Sequence, residues 1–200
     1  MPARKFTKLI QGRQSVFGIK FLPGGFHGFL GRPVAELRDR TIDARVVFGK
    51  DAVAAYESAL RRAKTEAVKI RTADRFLLER LPHRDPQAEW AGSLVELAER
   101  DGSIRSVADL SRHTGVGIRT LQRLFREYVG VAPKWVIQRY RLHELVERMN
   151  RDGGIDWAAT AAELGYADQS HLIRDFRAVV GRTPVRGEAT QAGTRRTSRE

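Results

Sequence analysis

The chain predicts a mainly α fold: two helix-turn-helix units joined by a long linker helix, preceded by a small α+β N-terminal segment. Three observations carry this. One pattern occurs twice, 51 residues apart: Leu121, Arg123, Phe125, Arg126, Val129, Gly130 and Pro133, then Leu172, Arg174, Phe176, Arg177, Val180, Gly181 and Pro184. In each copy Leu, Phe and Val recur at helical intervals on one side while the arginines point elsewhere. Each copy also follows a shorter helical stretch and a glycine break, at Gly115 or Gly165. Finally, residues 1–50 are the least helical, with a β-branched and aromatic run at 16–21, and the apolar period is helical from Asp51 onward.

The elements follow in order. Residues 16–21, Val-Phe-Gly-Ile-Lys-Phe, read as a strand, ended by the turn Pro23-Gly24-Gly25. Phe26, Phe29 and Leu30 mark a short apolar helical piece, and Pro33 opens another through Val34, Leu37 and Arg38. Residues 42–48 form a second extended stretch. Asp51 is placed as an N-cap, with Val53, Tyr56, Leu60 and Ala63 on one face, and a further helix runs through Ile70, Ala73, Leu77 and Leu81. Pro82 and Pro86 bracket a polar linker, where the domain boundary is set. Trp90, Leu94 and Leu97 line the next helix. Ser106 caps a helix through Val107, Leu110 and Thr114, and the first repeat helix covers 118–129. The long helix covers 133–150, with Val136, Tyr140, Leu145 and Met149 inward, and Asp152-Gly153-Gly154 follow as a loop. Asp156 caps 157–164, and Asp168 caps the second repeat helix, 169–180. Residues 188–200 are almost free of apolar side chains and read as a disordered tail.

The 200 residues carry a formal net charge of +12, which favours a polyanionic partner. That charge is not concentrated in the repeats: residues 1–100 hold 19 Lys/Arg against 12 Asp/Glu, and residues 101–188 hold 14 against 11. The positions of the arginines must therefore carry the argument. There are no cysteines, which excludes disulfides, thiolate zinc sites and cysteine nucleophiles. No apolar run approaches the roughly 18 residues of a membrane span, and no apolar signal core follows the basic N-terminus. A cytoplasmic protein without a membrane partner is expected. His27, His83, His113, His143 and His171 show no metal-ligand spacing, Gly24-Gly25 lacks the Lys-Ser/Thr of a phosphate loop, and no nucleophile–base pair is evident. No enzyme, metal or cofactor is expected.

A helix, a short turn with glycine and a second helix make a helix-turn-helix unit, and small Ser111 and Ala161, each four residues before the glycine, allow close helix packing. Two such units around a long helix resemble the DNA-binding domain of AraC/XylS-type transcription regulators. The resemblance rests on Leu121-Gln122-Arg123-Leu124-Phe125-Arg126 with Gly130-Val131-Ala132-Pro133. It rests equally on 165–177, Gly-Tyr-Ala-Asp-Gln-Ser-His-Leu-Ile-Arg-Asp-Phe-Arg, with Gly181-Arg182-Thr183-Pro184. It covers 103–187. DNA-repair methyl acceptors carrying a similar domain need a cysteine that this chain lacks.

The resemblance implies a sequence-specific regulator that places two recognition helices in adjacent major-groove segments of double-stranded DNA. Arg119, Thr120, Gln122 and Arg123 would face base edges from the first helix, and Gln169, Ser170, His171 and Arg174 from the second. Arg pairs with guanine and Gln with adenine through bidentate bonds. Arg126, Arg177 and Arg182 would meet phosphates, while Leu121, Phe125, Val129, Leu172, Phe176 and Val180 form core. Residues 117–126 hold three arginines and no acid, whereas 168–177 hold Arg174 and Arg177 with Asp168 and Asp175. The first unit is therefore expected to supply more of the electrostatic affinity. RNA polymerase, a second copy of the chain and a small-molecule effector are the further partners the family brings into view.

Residues 17–25 with 31–37 resemble the later part of a sensor in one group of these regulators, so 1–82 are read as a partial sensor or dimerisation segment, and 83–102 as linker and first helix of the DNA-binding domain. The earlier strands of a sensor barrel are not in the chain, which reads as a reduced sensor or a truncated start. Phe17, Phe21, Phe26 and Phe29 are assigned to core or dimer contact in preference to a ligand pocket. The alternative function is a dimerising or antagonist partner of a full-length regulator, acting through protein contacts.

Overall fold

A computed structural model describes residues 16–152 and 155–180. The expectations for Gly153, Gly154, Gly181, Arg182, Pro184 and the 188–200 tail fall outside these residues, as does that for the side chain of Val180. Among the described residues the regular structure is all helical, with no strand. The α+β reading of the N-terminal segment is therefore corrected. Residues 16–22 have strand-like composition, but among the described residues no second segment pairs with them, and a lone extended run has no ladder to join. The other stretch expected to be extended closes into a helix, α2 (Arg45–Phe48). The Asp43 carboxylate accepts from the Arg45 backbone N–H at 2.8 Å and from its guanidinium at 3.0 Å. That local bonding overrides the β-propensity of Val46 and Val47.

α1 (His27–Leu30) precedes α2, with a 3-10 turn, Val34–Leu37, between them. α3 (Lys50–Arg62) starts one residue before its expected cap, so Asp51 lies in the first turn, where its charge favours the helix N-terminus. α4 (Glu66–Leu78) is capped by Thr65, which accepts from Val68 N–H. A chain of rings binds these elements. Phe21 lies 4.9 Å from Phe26 and 5.5 Å from Phe29, Phe29 lies 5.8 Å from Phe48, Phe48 meets Phe76, and Tyr56 stacks on Phe76 at 4.4 Å.

Pro86, expected to close a linker, opens α5 (Pro86–Arg100): Asp85 caps it by accepting from Gln87 N–H at 2.9 Å, and proline occupies the first turn, where its missing N–H costs nothing. The N-terminal segment lies directly on this helix. Gly24 has φ +83°, and a Cβ there would overlap the Ala88 carbonyl. Below α5 follow α6 (Val107–Thr114), α7 (Ile118–Leu124) and α8 (Pro133–Asp152). Leu94, Val95, Ile104, Leu110, Leu121 and Phe125 form their common core with Val136 and Ile137. Arg141 is buried and donates to the carbonyls of Ala98 at 2.6 Å, Asp101 at 3.2 Å and Glu99 at 3.4 Å. The Ala98 and Glu99 carbonyls lie in the last turn of α5, where the helix leaves its carbonyls without intrahelical partners and its dipole is negative, and Asp101, which also accepts from Ile104 N–H, is its C-cap.

The chain divides into two compact units, Met1–Arg141 and Leu142–Glu200, the boundary falling within α8. The second unit adds α9 (Trp157–Glu163) and α10 (Gln169–Val180). Its core is Leu142, Leu145, Ala161, Tyr166, Leu172 and Phe176, with Trp157 edge-on to Phe176 at 5.4 Å. No helix among the described residues is long and apolar enough to cross a membrane.

Candidate nucleic-acid interface

Each unit holds one helix-turn-helix. In the first, α6 starts at a capping box: the Ser106 hydroxyl accepts from Asp109 N–H, and the Asp109 carboxylate accepts from Ser106 N–H at 2.8 Å. The Asp109 carboxyl is held below its usual pKa by the Ser106 hydroxyl, then by the Arg105 and Ser106 N–H groups and by Arg112. Gly115 ends α6 at φ +69°, a left-handed conformation that glycine adopts without strain. Ser111 does more than leave room, since its hydroxyl donates to the Val116 carbonyl at 2.7 Å and closes the turn. The first repeat helix begins as α7, then widens into a π turn, Phe125–Val129, closed by Gly130 N–H on the Phe125 carbonyl at 2.7 Å.

Leu121, Leu124, Phe125 and Val129 are buried, which leaves Arg119, Gln122, Arg123 and Arg126 exposed and Thr120 half-buried. Gln122 and Arg126 share one flank of the helix. Arg123 lies on the other, over a hollow of about 420 Å3 lined also by Gln87, Glu127 and Tyr128. Glu127 lies just beyond the acid-free stretch 117–126 and one turn from Arg123. Its carboxylate is engaged from the N-terminal segment: His27 Nε2 lies 3.1 Å from Glu127 Oε1, and the His27 ring packs on Tyr128 at 4.3 Å. His27 Nδ1 faces Asp85 Oδ2 at 3.7 Å, beyond hydrogen-bond length. Burial and the Asp85 and Glu127 carboxylates push the Tyr128 hydroxyl pKa up.

The second unit repeats the geometry. Asp156 caps α9 by accepting from Ala158 and Ala159 N–H. Gly165 turns at φ +70°, matching Gly115, and Tyr166 N–H donates to the Ala161 carbonyl across the same five-residue span that Ser111 bridges in the first unit. Leu172 and Phe176 are buried, and Gln169, Ser170, Arg174 and Arg177 are exposed. The α10 N-terminus differs from that of α7. Asp168 accepts from His171 N–H at 2.7 Å, whereas Gly117 gives α7 no side-chain cap. His171 is half-buried, edge-on to Tyr166 at 5.2 Å and 3.8 Å from the Asp175 carboxylate. The Tyr166 pKa is raised by burial and by Asp175.

Residues 110–186 match a family described as a helix-turn-helix domain. Proteins named as AraC-like transcription regulators from Streptomyces antibioticus and Streptomyces lividans are each 32% identical over 102 residues, 51% of this chain and 28% of theirs. The HTH-type transcriptional regulator ExsA of Pseudomonas aeruginosa is 33% identical over 81 residues, 40% of this chain and 28% of its own. Residues 110–186, which match the helix-turn-helix family, are similar in sequence to these AraC-like regulators. The aligned part spans little more than a quarter of the length of these relatives. Residues 2–43 match a separate family, a domain of unknown function (DUF6597). No solved structure matches the chain.

The arginines of the helix-turn-helix region divide by what they touch. Arg112 pairs with Asp109, and Arg148 meets Glu163 at 3.1 Å and Glu144 at 3.7 Å. Among the described residues, Arg119, Arg123, Arg126, Arg174 and Arg177 form no salt bridge and no side-chain hydrogen bond. Their guanidinium groups are open to solvent on the two repeat helices, five donors each, with no carboxylate to displace.

Proposed function

We propose that the chain is a sequence-specific DNA-binding transcription regulator that inserts two recognition helices, 118–129 and 169–180, into adjacent major-groove segments. The observation that carries this reading is the set of uncommitted arginines at matching positions of both recognition helices. In this reading Arg119, Thr120, Gln122 and Arg123 read bases from the first helix, as do Gln169, Ser170, His171 and Arg174 from the second. Arg126, Arg177 and Arg182 hold phosphates, which set register without reading sequence. The chain acts in the cytoplasm without an enzymatic step, and RNA polymerase is the protein that its promoter occupancy affects.

Selection of binding sites from random duplexes tests the reading. An enriched motif with two half-elements about one helical turn apart is expected, bound with a steep salt dependence. Recovery of no enriched sequence overturns it.

A further inference from the structure

The groove beside the first recognition helix belongs to two separately matched regions. One wall is Gln122 and Arg126 with the Gly130–Pro133 corner, and the other is Pro33 with Ala35 and Glu36 of the 3-10 turn and Arg38 after it. The first wall lies in the helix-turn-helix match and the second in the 2–43 match. The groove holds about 500 Å3 and opens on the flank that carries Gln122. Its one carboxylate, Glu36, is neutralised by Arg32 at 2.8 Å. Arg126 is uncommitted, and Arg38 makes only a 3.7 Å contact to its neighbour Asp39 with both side chains exposed, a pairing that a stronger anion displaces at little cost.

We infer that this groove seats the sugar–phosphate backbone of DNA beside the major-groove segment read by the first unit, with Arg38 as a phosphate contact supplied by the N-terminal segment. The inference rests on the proposed function and extends its interface beyond the helix-turn-helix domain. Continuity supports it, since Gln122 and Arg126 line both the groove and the recognition face. Chemistry supports it too: the Pro, Ala and Val surface of the floor suits sugar C–H groups, and two guanidiniums at the rim suit the phosphate.

The test measures the affinity of the full chain for its selected duplex across a salt series. Arg38→Ala is expected to weaken binding about five- to tenfold near 0.1 M salt, equally for selected and unrelated sequences, and to reduce the salt slope by about one. Arg38→Lys should restore most of the slope, and Arg75→Ala, on the exposed side of α4, should change neither quantity. If Arg123→Ala weakens binding while Arg38→Ala leaves affinity and slope intact, the seat is overturned and the regulator reading stands. If the intact chain selects no duplex, the regulator reading fails and the seat with it. A concentration-dependent dimer abolished by Arg38→Glu, with DNA affinity unchanged, assigns the groove to a second copy and also overturns the seat.

Discussion

Gly130 lies so close to Val34 that a Cβ on the glycine would come within 2.8 Å of Val34 Cγ1 and 3.0 Å of its carbonyl oxygen. Gly130 also has φ +85° and closes the π turn at the end of the first recognition helix. Conformation and space therefore demand glycine at this joint. Gly130→Ala should destabilise the first unit by about 1–3 kcal/mol. Val34→Ala removes side-chain contact but no backbone fit, and should cost less, about 1–2 kcal/mol. In the double variant the Val34 carbonyl still obstructs the new methyl, so Val34→Ala should rescue only part of the loss. Chemical denaturation reads all three, and a Gly130→Ala protein as stable as the parent refutes the joint.

The two repeat helices present unequal electrostatics. The α10 N-terminus carries the Asp168 carboxylate, and Asp175 follows Arg174 directly. The α7 N-terminus carries no side-chain cap. An anion at a recognition-helix N-terminus opposes an approaching phosphate. Arg123→Ala should therefore cost more affinity than Arg174→Ala, by about 1 kcal/mol or more within the usual 1–3 kcal/mol of a base contact. Titrations at one fixed salt concentration decide it, and equal losses refute the asymmetry.

What the sequence made legible follows from what repeats. The helix pairs 107–114 with 118–129 and 157–164 with 169–180, their glycine turns and the caps Ser106, Asp156 and Asp168 all rest on local chemistry, and the structure has them within a residue. Which side chains of 118–129 and 169–180 face solvent was legible because a fixed core face leaves few positions to point outward. The N-terminal segment was misread where local composition and tertiary context diverge: among the described residues no strand pairs with 16–22, and Asp43 turns the β-branched 45–48 into a helix. Arg141 and His27 were not legible at all. Each acts across a long stretch of chain, Arg141 on the end of α5 and His27 on Glu127, and no spacing rule announces such a contact.

In the proposed DNA interface that His27 contact governs the charge beside Arg123. Glu127 lines the same hollow as Arg123 and is the acid nearest to that arginine along the helix. His27 holds its carboxylate at 3.1 Å. His27→Ala should release Glu127 toward Arg123 and weaken specific binding about three- to tenfold, the scale of a close pair with one partner made free. Glu127→Gln removes the competing charge and should bind as tightly as the parent or more tightly. The two changes combined should bind like Glu127→Gln alone. If the double variant keeps the full His27→Ala loss, the histidine supports the fold rather than the charge on Arg123.

Asp109 ties the stability of the first helix-turn-helix to pH. Its carboxyl is lowered by the Ser106 hydroxyl first and by backbone N–H groups next, so its folded pKa lies below the unfolded value of about 4. The unfolded chain takes up the proton first as pH falls. The contribution is therefore complete above the unfolded pKa, begins to fall near pH 4, and is gone once the pH has passed through the lower folded value. Asp101, lowered by the Ser103 hydroxyl and then its N–H, adds a loss of the same sign over the same region. Ser106→Ala should cost about 1 kcal/mol at neutral pH. It should also narrow the stability gap to the parent in acid, because the hydroxyl that lowers Asp109 is no longer there. Asp109→Asn should lose its share of the acid dependence and leave that of Asp101. Denaturation curves at pH 7 and at several points below 4 measure these differences, and a parent–variant gap that stays constant into acid contradicts the assignment.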